Sequence, residues 1–189
     1  MPIGMPYAEL GCRIALGFVF LAAFVSKTRS REGFVGFRDA VAAVGVSGRR
    51  ALPAAVGIAG SEITVVILLL VPSTVGEGYG VAILSLLVFA VVTSATMARG
   101  LQVPCMCFGS TGNYLSRGHL LRNAILFTVA TIGLVLHTRY PQPPIGWPAV
   151  ITALVGVVTG LLITRWDDIS FLLEVESGRR VLASREESR

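Results

Sequence analysis

At 189 residues, with 53% hydrophobic and only 14% charged side chains, the chain carries far fewer charges than the roughly one quarter usual in a soluble domain. Its long apolar runs each approach the roughly 20 residues that cross a bilayer as a helix, so lipid is the expected solvent and a single compact membrane domain the expected size. The net charge of +5 comes from basic residues between and after those runs. That is a positive-inside pattern and argues against nucleic-acid binding.

In chain order, Leu10-Gly11-Cys12 superficially matches a lipoprotein cleavage site. The apolar run follows Cys12 instead of preceding it, and no basic segment opens the chain, so no cleaved peptide is expected. The first span is predicted over residues 10–26, stopping at Lys27. A basic stretch follows with Lys27, Arg29, Arg31, Arg38, Arg49 and Arg50. Within it Phe34, Phe37, Val41 and Val44 recur at spacings of three and four, which predicts a short helix lying in the membrane interface. The second span, residues 52–71, holds Glu62 near its middle. A charged acid at the bilayer centre costs about 2.5–3.5 kcal/mol on insertion scales, so Glu62 should face other helices, either to handle a proton or pair with a cation, or as a neutral acid hydrogen-bonded between helices. Gly57 and Ser61 nearby let helices approach closely.

The third span is predicted over residues 79–98, between Glu77 and Arg99, and the fourth over 120–137, with Arg122 and Asn123 at its entry. Tyr140-Pro141-Gln142-Pro143-Pro144 is a rigid turn that no helix continues through. The fifth span, residues 147–164, has Trp147 and Trp166 at its ends, as interface belts prefer. Its Gly156 and Gly160 form a GxxxG packing face. Beyond it Leu172, Leu173 and Val175 suggest a short surface helix in a solvated tail. The expected fold is therefore all-α: a polytopic transmembrane helix bundle of about five spans with one interfacial helix. Residues 1–166 form the membrane domain and residues 167–189 a charged cytoplasmic tail. Counting Lys and Arg leaves Arg13 and Arg139 on one side and nearly all the rest on the other. The N-terminus is thus expected outside the cell membrane and the C-terminus in the cytoplasm.

Two of the three cysteines lie in Pro104-Cys105-Met106-Cys107-Phe108-Gly109, a polar gap between the third and fourth spans. A disulfide between residues i and i+2 closes a very small, strained ring. Strained disulfides are labile and oxidising, which suits exchange better than structural support. Two other readings stay open. Thiolate and thioether ligands select Cu(I), so Cys105, Met106 and Cys107 are an alternative soft-metal site. The pair is otherwise two small residues in a tight turn. Zinc usually takes four ligands, and His119 is the single further candidate nearby. Cys12, at the outer start of the first span, is either a relay or resolving thiol or a buried small apolar residue.

Arg13 and Gly17 open the first helix, Lys27 closes it, Glu62 lies in the second, and Arg99-Gly100 follows the third. Cys105-Met106-Cys107-Phe108-Gly109 comes next, then His119, Leu120, Arg122 and Asn123. In these features the chain resembles the MauE family of methylamine-utilisation membrane proteins, related to DoxX-like proteins. Met106 stands where the family pattern Cys-Gly-Cys-Phe-Gly has its middle glycine. The resemblance implies a four-helix DoxX-like core plus one span, embedded in membrane lipid and working with a thioredoxin-like periplasmic redox protein. It implies transfer of thiol–disulfide equivalents to support maturation of a disulfide-containing extracytoplasmic client. In methylamine-using bacteria that client is methylamine dehydrogenase, though relatives occur where no methylamine pathway exists. Under this reading the protein is a thiol–disulfide oxidoreductase. Cys105 and Cys107 exchange, and Glu62 accepts a proton or pairs with Arg122. Asn123, Phe108, Gly109 and His119 support them. DoxX-like relatives include quinone-linked proteins, so the resemblance admits a quinone as electron partner. A Cu(I) transfer protein and a non-catalytic assembly scaffold remain the alternatives.

Overall fold

The structure, a computed structural model, describes residues 4–46, 48–101, 117–140 and 146–165. Helices α1 (Met5–Thr28), α2 (Arg31–Ala43), α3 (Gly48–Leu70), α4 (Val75–Ala98), α5 (Arg117–Arg139) and α6 (Trp147–Thr164) follow one another, with a 3₁₀ turn at Pro72–Thr74. All but α2 belong to segments long and apolar enough to cross a membrane, five among the described residues. The chain is a multi-pass helical membrane protein.

Four helices form a closed ring, with α1 against α3 and α5, and α4 against the same two. Helix α6 packs on α1 from outside the ring, and α2 packs on α3 and α1. The described architecture is therefore a four-helix core with one further span and one short helix. Leu16 and Val19 of α1, Val65 and Leu69 of α3, Tyr79 of α4 and Leu126 of α5 share its buried centre. Outward-facing Leu70, Leu84, Val91 and Leu154 are each more than 60% exposed. An apolar surface of this kind is what lipid requires and water would penalise.

Local chemistry sets the turns. After α1, Ser30 takes an extended backbone and its hydroxyl accepts from the Gly33 amide at 3.0 Å, a serine N-cap that restarts the chain as α2. Helix α4 ends at Gly100, whose φ of +66° only glycine adopts without strain. The Gly100 amide donates to Met97 and the Leu101 amide to Thr96, the pattern of a Schellman turn.

Helix α2 forms where the apolar spacing predicts, but its face is turned to protein. Phe37 and Val41 are buried against Ala55 of α3. The helices also run past several predicted limits. Helix α1 begins at Met5 and α4 at Val75, each taking in an acid, Glu9 and Glu77. Glu9 is buried with partners, so it does not end the span as a bare charge would. The Gly156 and Gly160 face is used within the chain. A Cβ at Gly156 would stand 3.0 Å from the Gly11 carbonyl oxygen, and one at Gly160 3.0 Å from that of Ala15. Glycine brings α6 into backbone contact with α1.

Candidate functional site: a buried ion pair at a membrane cavity

On α3 the buried positions Ala51, Ala55, Ala59, Glu62, Val66 and Leu69 recur every three or four residues. Glu62 therefore lies on the helix's inner stripe, and the alanines before it let neighbours come close. On α1 the buried residues Val19, Phe20, Ala23 and Lys27 continue the same periodicity to the helix end. The two stripes meet, and Lys27 Nζ donates to Glu62 Oε1. Lys27 is 3% exposed and Glu62 8%. The ammonium also stands 5.1 Å from the ring centroid of Phe37, which α2 folds back over it, a cation–π distance. The sequence suggests Arg122 as the companion of Glu62, and the ion pair formed is to Lys27. Burial beside α3 makes Lys27 the nearer partner, although by sequence it looks like an interfacial stop.

This pair forms part of the wall of a cavity of about 510 Å³ lined by α1, α3, α4 and α5. Arg122 and Asn123, on the first turns of α5, contribute to the same wall and are both buried. Asn123 Nδ2 donates to the Leu86 carbonyl at 2.9 Å, tying α5 to α4. His119, one turn earlier, is 3% exposed. Glu62, Arg122 and Asn123 are thus brought together, with His119 near the same end. Cys105, Met106, Cys107, Phe108 and Gly109 lie outside the described residues. Among the described residues no group of three or more His, Cys, Asp or Glu side chains could hold a metal ion.

Glu62 presents its two oxygens differently. Oε1 takes the lysine, while Oε2 is buried with no hydrogen-bond partner among the described residues. Buried polar atoms are nearly always satisfied, so an orphaned carboxylate oxygen on a cavity wall marks a place for a donor.

A second polar cluster occupies the opposite end of the ring. Tyr79 donates to Glu9 Oε1 at 3.2 Å, and His137 Nδ1 lies 3.7 Å from the same oxygen. Arg13 Nε and Nη2 donate to the carbonyls of Leu69 and Leu70, the last of α3. A guanidinium there satisfies carbonyls that the helix end leaves open and meets the negative end of its dipole. Gly133 makes room for Tyr79, since a Cβ there would stand 2.5–2.6 Å from the tyrosine ring and hydroxyl. Cys12, partly buried, belongs to this end. At 1.5 Å of rise per residue it lies roughly 22 Å along α1 from Lys27.

Sequence reasoning missed Lys27, Glu9, Tyr79 and His137 as site residues, since each looks like the border of an apolar run. The available signal was register. Glu9 precedes Arg13 by one helical turn, and Lys27 follows Ala23 by one turn along the stripe that carries Leu16 and Phe20.

Compared with known proteins, residues 5–136 match the family model described as methylamine utilisation protein MauE. No curated protein and no solved structure gives a significant match.

Proposed function

Since the chain belongs to the MauE family, we propose that this multi-pass membrane protein passes thiol–disulfide equivalents through Cys105 and Cys107. The reaction is a balanced exchange. A thiolate of one dithiol attacks the disulfide of the other protein, a mixed disulfide forms, and the second thiol resolves it. Two electrons and two protons move between the Cys105/Cys107 pair and a thioredoxin-like partner. A disulfide-containing extracytoplasmic client is the beneficiary, methylamine dehydrogenase where the methylamine pathway exists.

One observation carries most weight. The segment holding the pair leaves the ring at Leu101, after the Gly100 turn, and rejoins it at Arg117, where α5 begins. Both anchors lie at the end of the ring that holds Lys27, Glu62, Arg122 and Asn123. Cys105 and Cys107 lie between these two anchors in the sequence, and Glu62 on the cavity wall at the same end is an acid able to take up a proton. The basic stretch after α1 and Arg99 after α4 support a cytoplasmic position for this end, with the N-terminus outside the plasma membrane, and Cys12 at the other end is then the thiol that would relay equivalents to the extracytoplasmic side.

Alkylation trapping in cells tests the reading. The pair should be found in both redox states, and a Cys107→Ser variant should accumulate a mixed disulfide with a thioredoxin-like protein. Permanently reduced thiols together with a fully active Cys105→Ser/Cys107→Ser variant would end the proposal.

A further inference from the structure

We infer that the cavity beside Lys27 and Glu62 is a binding site for a lipid-soluble molecule with an apolar body and a hydroxyl head, the hydroxyl donating to Glu62 Oε2. Size comes first. A volume of about 510 Å³ falls in the range of small-molecule pockets, roughly 300–1,000 Å³. The wall comes second. Phe20, Phe89 and Leu126 belong to a lining that is mostly apolar, and its charged groups are the paired Lys27 and Glu62 with Arg122. Such a wall suits a hydrocarbon or ring body and gives a cluster of waters few partners.

Access is the third point. Ile58 on α3, and Leu84 and Val88 on α4, line the cavity and are also 40–62% exposed on the apolar outer surface. The cavity therefore opens between α3 and α4 toward the bilayer, and its ligand arrives by partitioning through lipid. Last is the head group. Glu62 Oε2 lacks a hydrogen-bond partner among the described residues, and a carboxylate oxygen accepts but never donates. The ligand must bring the proton of the hydrogen bond. A hydroquinone ring and an aliphatic alcohol both meet these requirements, since the shared chemistry is a hydroxyl on an apolar body.

The test uses the full chain purified into lipid nanodiscs, with decylhydroquinone and dodecanol as probes and the methyl ether of each as a control lacking the donor. Binding is read by calorimetry. At least one hydroxyl probe should bind, and its ether should bind about tenfold or more weakly, the loss expected for a hydrogen bond to a charged acceptor. Saturation by the ring alone identifies a hydroquinone, and saturation by the alcohol alone an aliphatic lipid. Saturation by both means that the donor is what the site reads. Gly57→Leu supplies the second arm. Gly57 lines the cavity, and a Cβ there meets nothing within 4 Å, so the first atom of the added side chain enters open space on the cavity wall, and an unchanged melting temperature checks that the bundle stays intact. The substitution should weaken binding at least tenfold. Absence of binding by both hydroxyl probes, equal binding of hydroxyl and ether, or affinity unchanged in Gly57→Leu overturns the inference.

Discussion

Lys27 on α1 and Glu62 on α3 neutralise each other inside the ring, the ammonium capped by the Phe37 face and the carboxylate left with one open oxygen. Neither charge reaches water freely, so each depends on the other. Removing one partner of a buried pair typically costs about 3–5 kcal/mol, whereas replacing both with apolar groups of similar volume is often close to neutral. Lys27→Met should therefore lower unfolding stability by that amount, and Lys27→Met/Glu62→Leu should recover much of it. Denaturation in detergent, arranged as a double-mutant cycle, measures the difference. Strictly additive losses would show that the two side chains are not coupled.

The opposite end makes a steric prediction. Gly133→Ala drives a methyl into the Tyr79 ring. Tyr79 is fully buried and holds Glu9, so it has little room to retreat. Overpacking of this kind costs about 1–3 kcal/mol. Combining Gly133→Ala with Tyr79→Leu should cost less than the sum of the two, because the smaller side chain vacates the space. Thermal melts of the two singles and the double decide it.

Helix α6 is held to α1 by glycine contact. Gly156→Leu and Gly160→Leu should each lower the melting temperature without altering the oligomeric state measured by light scattering. A variant that kept its melting temperature and only dissociated an oligomer would move this face from intramolecular packing to self-association.

Sidedness gives a prediction that involves no folding energy. If the N-terminus is outside, as proposed, an impermeant thiol reagent should reach Cys105 and Cys107 from the cytoplasmic face of inverted vesicles and not in intact spheroplasts. A Met5→Cys variant lacking the native thiols should label in the opposite preparation. Labelling of the native pair from the periplasm reverses the orientation and brings a periplasmic partner directly to it.

Much of the fold was legible because a bilayer-spanning helix needs a long apolar run, and each of the five is visible as one. The fifth span, Trp147–Thr164, has the limits its two flanking features suggest, Trp147 at its start and the charges from Arg165 at its end. Glu62 was legible for the same reason, as an acid isolated in such a run. The partnerships were not. Lys27 reads as the end of a span because a lysine at an interface and a lysine folded under a neighbouring helix look alike in one sequence. Its burial depends on the Ser30 cap bringing α2 back, a tertiary consequence. Glu9 and His137 are separated by most of the chain, and nothing local announces that antiparallel packing of α1 and α5 sets them side by side. For α2 the period was correct and the environment was not. An apolar stripe shows that a face is covered without showing whether lipid or protein covers it.

The first helix carries Glu9, Arg13 and Lys27, and each finds its partner on a helix made later. Arg13 waits for the carbonyls ending α3, Lys27 for Glu62, and Glu9 for Tyr79 on α4 and His137 on α5. While the ribosome has delivered only α1, these groups face the insertion machinery unsatisfied, and ionisable residues weaken a segment's claim to the bilayer. Packing of α3 and α4 on α1 thus neutralises groups that α1 alone leaves bare, and a chain truncated before α3 should leave Arg13 and Lys27 without the partners they have in the full bundle.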